Sequence, residues 1–131
     1  MSRYDGKRVV ITGGSSGLGL AAAQYLVDNG ARVLVTGRNQ DTLDDAARRL
    51  GDHGTAVRSD TSSLAEIEAL ADRVRDEFST VDALVANAGI GSFDAFFDVT
   101  EQTFDEVFAI NTKGPFFTVQ KLAPLLSEGR V

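Results

Sequence analysis

A short apolar, β-branched run followed by an amphipathic stretch of helical period occurs four times along this chain. Apolar runs with little polar alternation are typical of strands that are covered on both faces, as in parallel sheets. Strands that alternate with helices imply right-handed crossovers, and hence an open parallel sheet with helices on both faces. The chain is therefore predicted to be an α/β domain in the order β-α-β-α-β-α-β-α, with strands at residues 8–12, 32–36, 55–58 and 83–86.

The stretches between the strands carry helix start and stop signals. The first two predicted helices, residues 18–29 and 42–50, end before Gly30 and Gly51, because glycine is the usual residue just past a helix C-terminus. Ser63 is predicted to cap a third helix through the S/T-x-x-E pattern. Apolar stripes that should pack on the sheet are Leu18, Ala21, Ala22, Tyr25 and Leu26 in the first helix, Leu43, Ala46, Ala47 and Leu50 in the second, and Ile67, Leu70, Ala71, Val74 and Phe78 in the third.

The fourth helical region begins after a capping residue, Thr100, and contains both prolines of the chain, Pro115 and Pro124. Proline inside a helix lacks the N–H donor and clashes with the preceding turn, so this region is expected to bend or break. Its apolar residues are Phe104, Val107, Phe108 and Ile110.

Composition excludes several classes of protein. The 131 residues fit one domain, with 43% hydrophobic and 24% charged residues, which argues against disorder. A net charge of −6 without a Lys/Arg cluster opposes nucleic-acid binding, and no apolar run is long enough to span a membrane. The absence of cysteine removes disulfides and thiolate metal sites and fits a cytoplasmic location. The single histidine, His53, lies in a glycine-flanked turn, so no metal site is expected.

The first strand runs directly into a glycine-rich loop, residues 12–19, with the sequence TGGSSGLG, and then into a helix. Glycine allows the backbone to approach a ligand closely, and the N–H groups at the following helix N-terminus attract a diphosphate. The context of strand, glycine loop and helix therefore predicts a dinucleotide-binding site, whereas a tight turn is the alternative for a glycine cluster.

The T-G-x-x-x-G-x-G spacing of this loop resembles the short-chain dehydrogenase/reductase family, and three further motifs occur in family order along the whole chain. Asn87-Ala88-Gly89 follows the fourth strand, Asp60-Thr61 follows the third, and Asn111 lies within INTKG. Ala86 departs from the asparagine that the family commonly has there. The resemblance implies a Rossmann-type doubly wound sheet and an oxidoreductase that transfers hydride between a nicotinamide cofactor and a carbonyl or alcohol substrate. It implies phosphate contacts by Gly13, Ser15, Ser16, Gly17, Leu18 and Gly19, adenine contacts by Asp60 and Thr61, inner-ribose contacts by Asn87, Ala88 and Gly89, and a catalytic role for Asn111.

The end of the second strand predicts a preference for NADP(H) over NAD(H). An Asp or Glu there would bind the ribose 2′-hydroxyl of NAD, but this chain has Gly37-Arg38. A small residue followed by a guanidinium leaves room for a 2′-phosphate and offers it charge-assisted hydrogen bonds. Alternatively, Arg38 is a solvated turn residue or pairs with Asp41 or Asp44.

Asn111 precedes Pro115 by four residues. Because proline cannot donate to the carbonyl of residue i−4, the Asn111 carbonyl is expected to be released from the helix and to hold a water. In the family such an asparagine resembles a stage in a proton relay to a catalytic lysine. The alternative is a helix kink with a solvated amide.

The catalytic Tyr-x-x-x-Lys pair that the resemblance implies does not occur in these residues, since neither Tyr4 nor Tyr25 has a lysine four positions later. Tyr25 is moreover expected on the packed face of the first helix. Residues 129–131 repeat the pattern that opens the second strand, which predicts a chain truncated before its fifth strand. The 131 residues are thus interpreted as about the first half of such a domain, inactive alone; a regulatory or self-associating nucleotide-binding half-domain without redox activity is the alternative.

All but one of the eight phenylalanines lie between Phe93 and Phe117. Core packing is the default for several of them, but large apolar patches also mark partner surfaces. Because the fourth helix commonly pairs across a dimer in the family, a homo-oligomer through this helix is expected.

Overall fold

The computed structural model describes residues 2–126. In this range the chain forms four strands and five α-helices; a helix follows each of the first three strands, and the last two helices both follow the fourth strand. They are β1 (Arg8–Thr12), α1 (Gly17–Asp28), β2 (Arg32–Gly37), α2 (Gln40–Leu50), β3 (Gly54–Arg58), α3 (Leu64–Phe78), β4 (Ala83–Ala86), α4 (Glu101–Phe108) and α5 (Gly114–Leu122).

The four strands form one parallel sheet in the order β3-β2-β1-β4. Val9 pairs with Val33 of β2 on one side and with Ala83 of β4 on the other. The predicted doubly wound α/β fold is therefore confirmed, and the predicted strand bounds agree within one residue. The expected start of a fifth strand at residues 129–131 lies outside the described range.

Alternate strand residues feed two hydrophobic clusters, one on each face of the sheet, because side chains of a strand point to opposite faces in turn. Val10 and Leu34 pack toward α3 and α5, whereas Val9 and Ile11 pack toward α1 and α2. All five apolar residues predicted for α3 are buried, and the Ser63 side chain accepts a hydrogen bond from the Glu66 N–H as predicted.

The predicted packing face of α1 is wrong for four of its five residues; the fifth, Leu26, is partly buried against the cluster beneath α1 and α2. Leu18 is 86% exposed and Tyr25 is 55% exposed, and Ala21 and Ala22 are exposed as well. The buried residues of this helix are Gly19 and Ala23. Small side chains at these two positions let the helix backbone lie close to the sheet, and Leu20, Leu26 and Val27 pack partly buried against the same cluster. Leu18 and Tyr25 point outward, and the Tyr25 ring meets the Tyr4 ring edge to face.

The α-helical hydrogen bonding of the fourth helical region is interrupted, as its prolines predicted. A π-helical turn, Ala109–Lys113, separates α4 from α5, and Pro115 lies in the first turn of α5. Thr100 caps α4 through a hydrogen bond from the Thr103 N–H. The π turn changes the face that each helix presents: α4 has no buried residue, whereas Gly114, Thr118 and Leu122 of α5 are buried.

Arg8 and Asp82 join β1 to β4 at the amino ends of the strands. The Arg8 N–H donates to Asp82 Oδ2 at 2.8 Å, and the Asp82 N–H donates to the Arg8 carbonyl at 2.8 Å. Burial alone would raise the pKa of the Asp82 carboxyl, but the hydrogen bonds from Arg8 and the charges of Arg8 and Lys7 outweigh it, so this pKa lies below its usual value. The carboxylate therefore stays ionised and holds the two strands in register.

A short segment at Leu125 and Leu126 pairs with the residue Val81, just before β4, on the side of that strand that faces away from β1. The Val81 N–H donates to the Leu125 carbonyl at 2.8 Å, and Val81 and Leu126 form a parallel bridge. The chain thus returns to the amino end of β4 after α5 and runs parallel to that strand at Leu126.

Candidate functional site

The order of the strands reverses between β1 and β4, since β2 and β3 lie on one side of β1 and β4 on the other. In open α/β sheets, ligands bind outside the carboxyl ends of the strands at such a switch point. A cavity of about 470 Å³ lies there, within the range of small-molecule sites. Residues from the ends of all four strands contribute to its walls.

The glycine loop after β1 is fixed against the loop after β4. The Thr12 hydroxyl accepts hydrogen bonds from the N–H groups of Asn87 and Ala88 at 3.1 and 3.2 Å, and the Asn87 side chain donates to the Gly13 carbonyl at 3.2 Å. Gly13 has φ +68°, and a Cβ atom there would lie 2.8 Å from the Ala88 Cα. Only glycine allows this approach, so the two loops form one continuous floor.

The N-terminus of α1 lies beside this floor. Ser16 is the N-cap residue, but its side chain makes no capping hydrogen bond, and the first turn holds no acidic residue. Ser15 and Ser16 line the cavity. The first-turn N–H groups and the positive end of the helix dipole are therefore left for an anionic ligand.

The end of β2 forms a second wall, which is basic. Arg38 and Asn39 line the cavity, and Asn39 caps α2 by accepting from the Asp41 and Thr42 N–H groups at 2.9 and 3.1 Å. Within residues 2–126 the exposed Arg38 guanidinium makes no ion pair, and the Asp44 carboxylate accepts from Gln40. The alternative pairing of Arg38 with an aspartate of α2 is not present.

The loop after β3 closes the cavity next to Arg38. Thr61 is buried and lines it, but Asp60 is not a lining residue. The Asp60 carboxylate accepts from the Ser62 N–H at 2.9 Å and from the Ser62 hydroxyl at 2.7 Å. Burial would raise the pKa of Asp60, but these hydrogen bonds and the charges of Arg38 and Arg58 outweigh it and hold the pKa below its usual value.

Asn111 lies in the π turn, and its side chain contacts the loop after β4. Its Oδ1 accepts from the Ile90 N–H at 2.8 Å, and its Nδ2 donates to the Ile90 carbonyl at 2.6 Å. These two hydrogen bonds fix the position of the loop that carries Asn87-Ala88-Gly89. The Gly114 N–H donates to the Ala109 carbonyl, five residues back. In this π-helical register, residue 115 would donate to the carbonyl of Ile110, five residues back, and not to the carbonyl of Asn111. The release of the Asn111 carbonyl by Pro115 therefore stays a prediction.

The structure brings together most, but not all, of the residues that the sequence selected. Those that line the cavity are Gly13, Ser15, Ser16, Arg38, Thr61, Asn87, Ala88 and Gly89, and those that do not are Gly17, Leu18, Gly19, Asp60 and Asn111. Gly37, which the sequence singled out together with Arg38, also lines it, and the lining residues that the sequence reasoning missed are Thr36, Asn39, Thr42, Ser59, Ile90 and Ile110. Position at a strand's carboxyl end could have identified Thr36 and Ser59, since those ends meet at one edge of a parallel sheet.

Two further classes of feature are absent from the described residues. Residues 2–126 contain no group of three His, Asp or Glu side chains placed to hold a metal ion. No helix in the same range has the length and apolar character needed to cross a lipid bilayer.

The parallel sheet, the switch-point cavity and the glycine loop define the Rossmann class of nucleotide-binding domains. A family model described as short chain dehydrogenase matches residues 7–131. The chain therefore belongs to the short-chain dehydrogenase/reductase family, whose members are oxidoreductases that bind nicotinamide dinucleotides.

Known relatives agree in sequence and in fold. Oxidoreductase asL5 of Sarocladium schorii is 38% identical over 128 residues, which are 98% of this chain and 51% of that protein. Galactitol 2-dehydrogenase of Agrobacterium fabrum is 33% identical, over 95% of this chain and 48% of that protein. A 3-ketoacyl-(acyl-carrier-protein) reductase from Brucella melitensis, solved in complex with NADH, superposes with a TM-score of 0.89 at 32% identity, over 93% of this chain and 51% of that one. The chain thus spans about half the length of the relatives it matches.

Proposed function

We propose that this chain is the NADP(H)-binding part of an oxidoreductase that transfers hydride between the cofactor and a carbonyl or alcohol carbon. The observation that carries the proposal is the switch-point cavity, which has open helix N–H groups on one wall and, on another, Arg38, which forms no ion pair with any residue from 2 to 126. Diphosphate and 2′-phosphate groups need these two kinds of donor. The absence of cysteine from the sequence supports a cytoplasmic location as part of this proposal.

The walls of the cavity fit a dinucleotide. A Cβ atom on Gly13 or Gly19 would meet backbone atoms. Glycine at these positions therefore lets the loop pack closely against the neighbouring backbone, which leaves space for a diphosphate at the helix N-terminus. The proposed contacts follow the order of the strands. Gly13, Ser15, Ser16, Gly17, Leu18 and Gly19 hold the diphosphate, Arg38 holds the 2′-phosphate, Asp60 and Thr61 adjoin the adenine, and Asn87, Ala88 and Gly89 adjoin the inner ribose.

The preference for NADP(H) rests on the end of β2. Gly37 provides no carboxylate for a ribose 2′-hydroxyl, and Arg38 is exposed toward the cavity without an ion-pair partner among the described residues. The ionised Asp60 carboxylate accepts two hydrogen bonds from Ser62, both at Oδ1. It lowers the positive potential at Arg38 without blocking its guanidinium.

Hydride transfer also requires a group that moves a proton to or from the substrate oxygen. The bound nicotinamide supplies the hydride. Asn111 is placed at the carboxyl edge of the sheet and holds the Ile90 backbone, and we assign it a role in the proton relay of the whole enzyme. The 131 residues contain no Tyr-x-x-x-Lys, so no turnover is expected from them alone.

Titration of the purified protein with NADPH and with NADH tests this proposal. NADPH is expected to bind more tightly, and Arg38→Gln is expected to weaken NADPH binding at least tenfold, since charge-assisted hydrogen bonds are worth about 1.5–3 kcal/mol. The same variant should leave NADH binding nearly unchanged. Arg49→Gln, on the exposed face of α2, is the matched control and should change neither affinity.

Unchanged NADPH affinity in Arg38→Gln would contradict the assignment of the 2′-phosphate to Arg38. Binding of neither cofactor by the unaltered protein would contradict the function itself. Oxidation of NADPH by the 131-residue chain with any carbonyl substrate would contradict the expected lack of turnover.

We also propose that the protein self-associates through α4. Phe104 and Phe108 are 54% and 51% exposed, and their rings stack with centroids 4.5 Å apart. Phe116 on α5 is exposed as well. Adjacent exposed aromatic rings on one helical region are typical of partner surfaces.

Light scattering at several concentrations measures this association. A dimer is expected for the unaltered protein, and Phe104→Ser/Phe108→Ser should shift it to monomer without unfolding, because neither ring is buried in the core. Phe93→Ser, at an exposed loop position, is the control and should leave the dimer intact. A monomer at every concentration for the unaltered protein would refute self-association.

A further inference from the structure

Ser15 of the glycine loop lies against Gly37 at the end of β2. A Cβ atom built on Gly37 would lie 3.0 Å from the Ser15 Cβ and closer still to the Ser15 hydroxyl oxygen. Rotation about χ1 can move the hydroxyl, but it cannot move the Ser15 Cβ. Any side chain at position 37 therefore meets Ser15.

The glycine loop is held against β2 next to this contact, so making room at position 37 requires breaking that attachment. The Gly14 N–H donates to the Thr36 carbonyl at 2.9 Å, and a Cβ on Gly14 would lie 2.7 Å from the Val35 Cβ, so the backbone at this point is already in contact with the strand. On the other side of Gly37, the Leu43 side chain of α2 lies 3.4 Å from the same Cβ position. The space next to Gly37 is thus closed by Ser15 on one side and bounded by Leu43 on the other.

Position 37 is also where an acidic residue would select NAD, since the last residue of β2 in this fold faces the ribose 2′-hydroxyl. We propose that Ser15 is a specificity-determining residue, because it excludes a ribose-binding carboxylate from position 37 by steric contact. This inference rests on the proposed function and extends it. Charge at Arg38 attracts the 2′-phosphate, whereas the contact between Ser15 and Gly37 prevents the competing NAD arrangement.

Paired substitutions test the proposal through cofactor binding. Gly37→Asp alone is expected to lose NADPH binding without gaining NADH binding, because the new side chain displaces the glycine loop. Ser15→Gly/Gly37→Asp is expected to bind NADH at least about tenfold more tightly than Gly37→Asp does. Equal NADH affinity in these two variants would overturn the proposal.

Thermal unfolding provides a second measurement that does not depend on any cofactor. Gly37→Ala adds only a Cβ, and at an unstrained position such a change is neutral or stabilising. Against Ser15 it should lower the unfolding midpoint by about 5 °C, whereas in the Ser15→Gly background it should not lower it. Equal shifts in both backgrounds would overturn the steric contact.

The two measurements separate this inference from the proposed function. If the unaltered protein bound neither cofactor, the proposed function would fail, and the role of Ser15 in cofactor choice would fail with it, whatever the unfolding midpoints showed. If NADPH bound as expected but Gly37→Asp alone gained NADH binding, only the role of Ser15 would fail.

Discussion

Gly19→Ala is expected to abolish measurable NADPH binding and to lower the free energy of unfolding by about 1–3 kcal/mol, the usual effect of overpacking. A Cβ atom at this position would lie 2.5 Å from the Gly13 carbonyl oxygen and 2.6 Å from the Asn87 Nδ2. These two atoms are hydrogen-bonded to each other. The new methyl group would therefore push α1 away from the loop and separate the two loops that form the floor of the cavity.

Cofactor titration and urea denaturation measure the two effects of this substitution. Gly91→Ala is the matched control, since no atom lies within 4 Å of its Cβ position and its φ is not positive, and it should leave both quantities nearly unchanged. An NADPH affinity within twofold of the unaltered protein in Gly19→Ala would show that the close approach is not needed for binding.

Leu34→Ala is expected to lower the free energy of unfolding by about 2–5 kcal/mol, as other large-to-small substitutions in cores do. Leu34 lies in the centre of β2, is fully buried and belongs to the cluster beneath α3 and α5. Its truncation would leave a cavity between the sheet and the layer formed by α3 and α5.

Urea denaturation of Leu34→Ala and Leu18→Ala compares a buried leucine with an exposed one. Leu18→Ala should change stability by less than about 0.5 kcal/mol, because exposed substitutions away from special contacts have small effects. Similar losses in the two variants would contradict the outward orientation of Leu18.

The strands and α3 could be predicted from sequence because their patterns have high contrast. The β1 run has no polar side chain in its interior, and the five apolar residues of α3 stand among charged ones, so only one face can be buried. The face of α1 could not be predicted in the same way. This helix is rich in alanine and leucine on several sides, and its two fully buried residues, Gly19 and Ala23, carry little hydrophobic signal.

The candidate site could be predicted where backbone geometry dictates residue type. Glycine is required at position 13 because its φ is positive and because Ala88 lies too close for a side chain. Requirements of this kind restrict a position to glycine, so they can be recognised in the sequence. Thr36 and Ser59 were missed because a hydroxyl residue at a strand end has no distinctive pattern. The π turn was also missed, since proline predicts an interruption but not the hydrogen-bond register that replaces the α-helix.

The hydrogen bonds between Thr12 and the loop after β4 join residues that are 75 and 76 positions apart, and those between Arg8 and Asp82 span 74. Contacts of such high sequence separation give a high contact order, and closing long loops slows folding. The cavity is therefore complete only when β4 is paired with β1, because the loop after β4 forms part of its wall. A dinucleotide bound in this cavity would bind only the completed sheet, so it would shift the folding equilibrium toward the folded state by mass action.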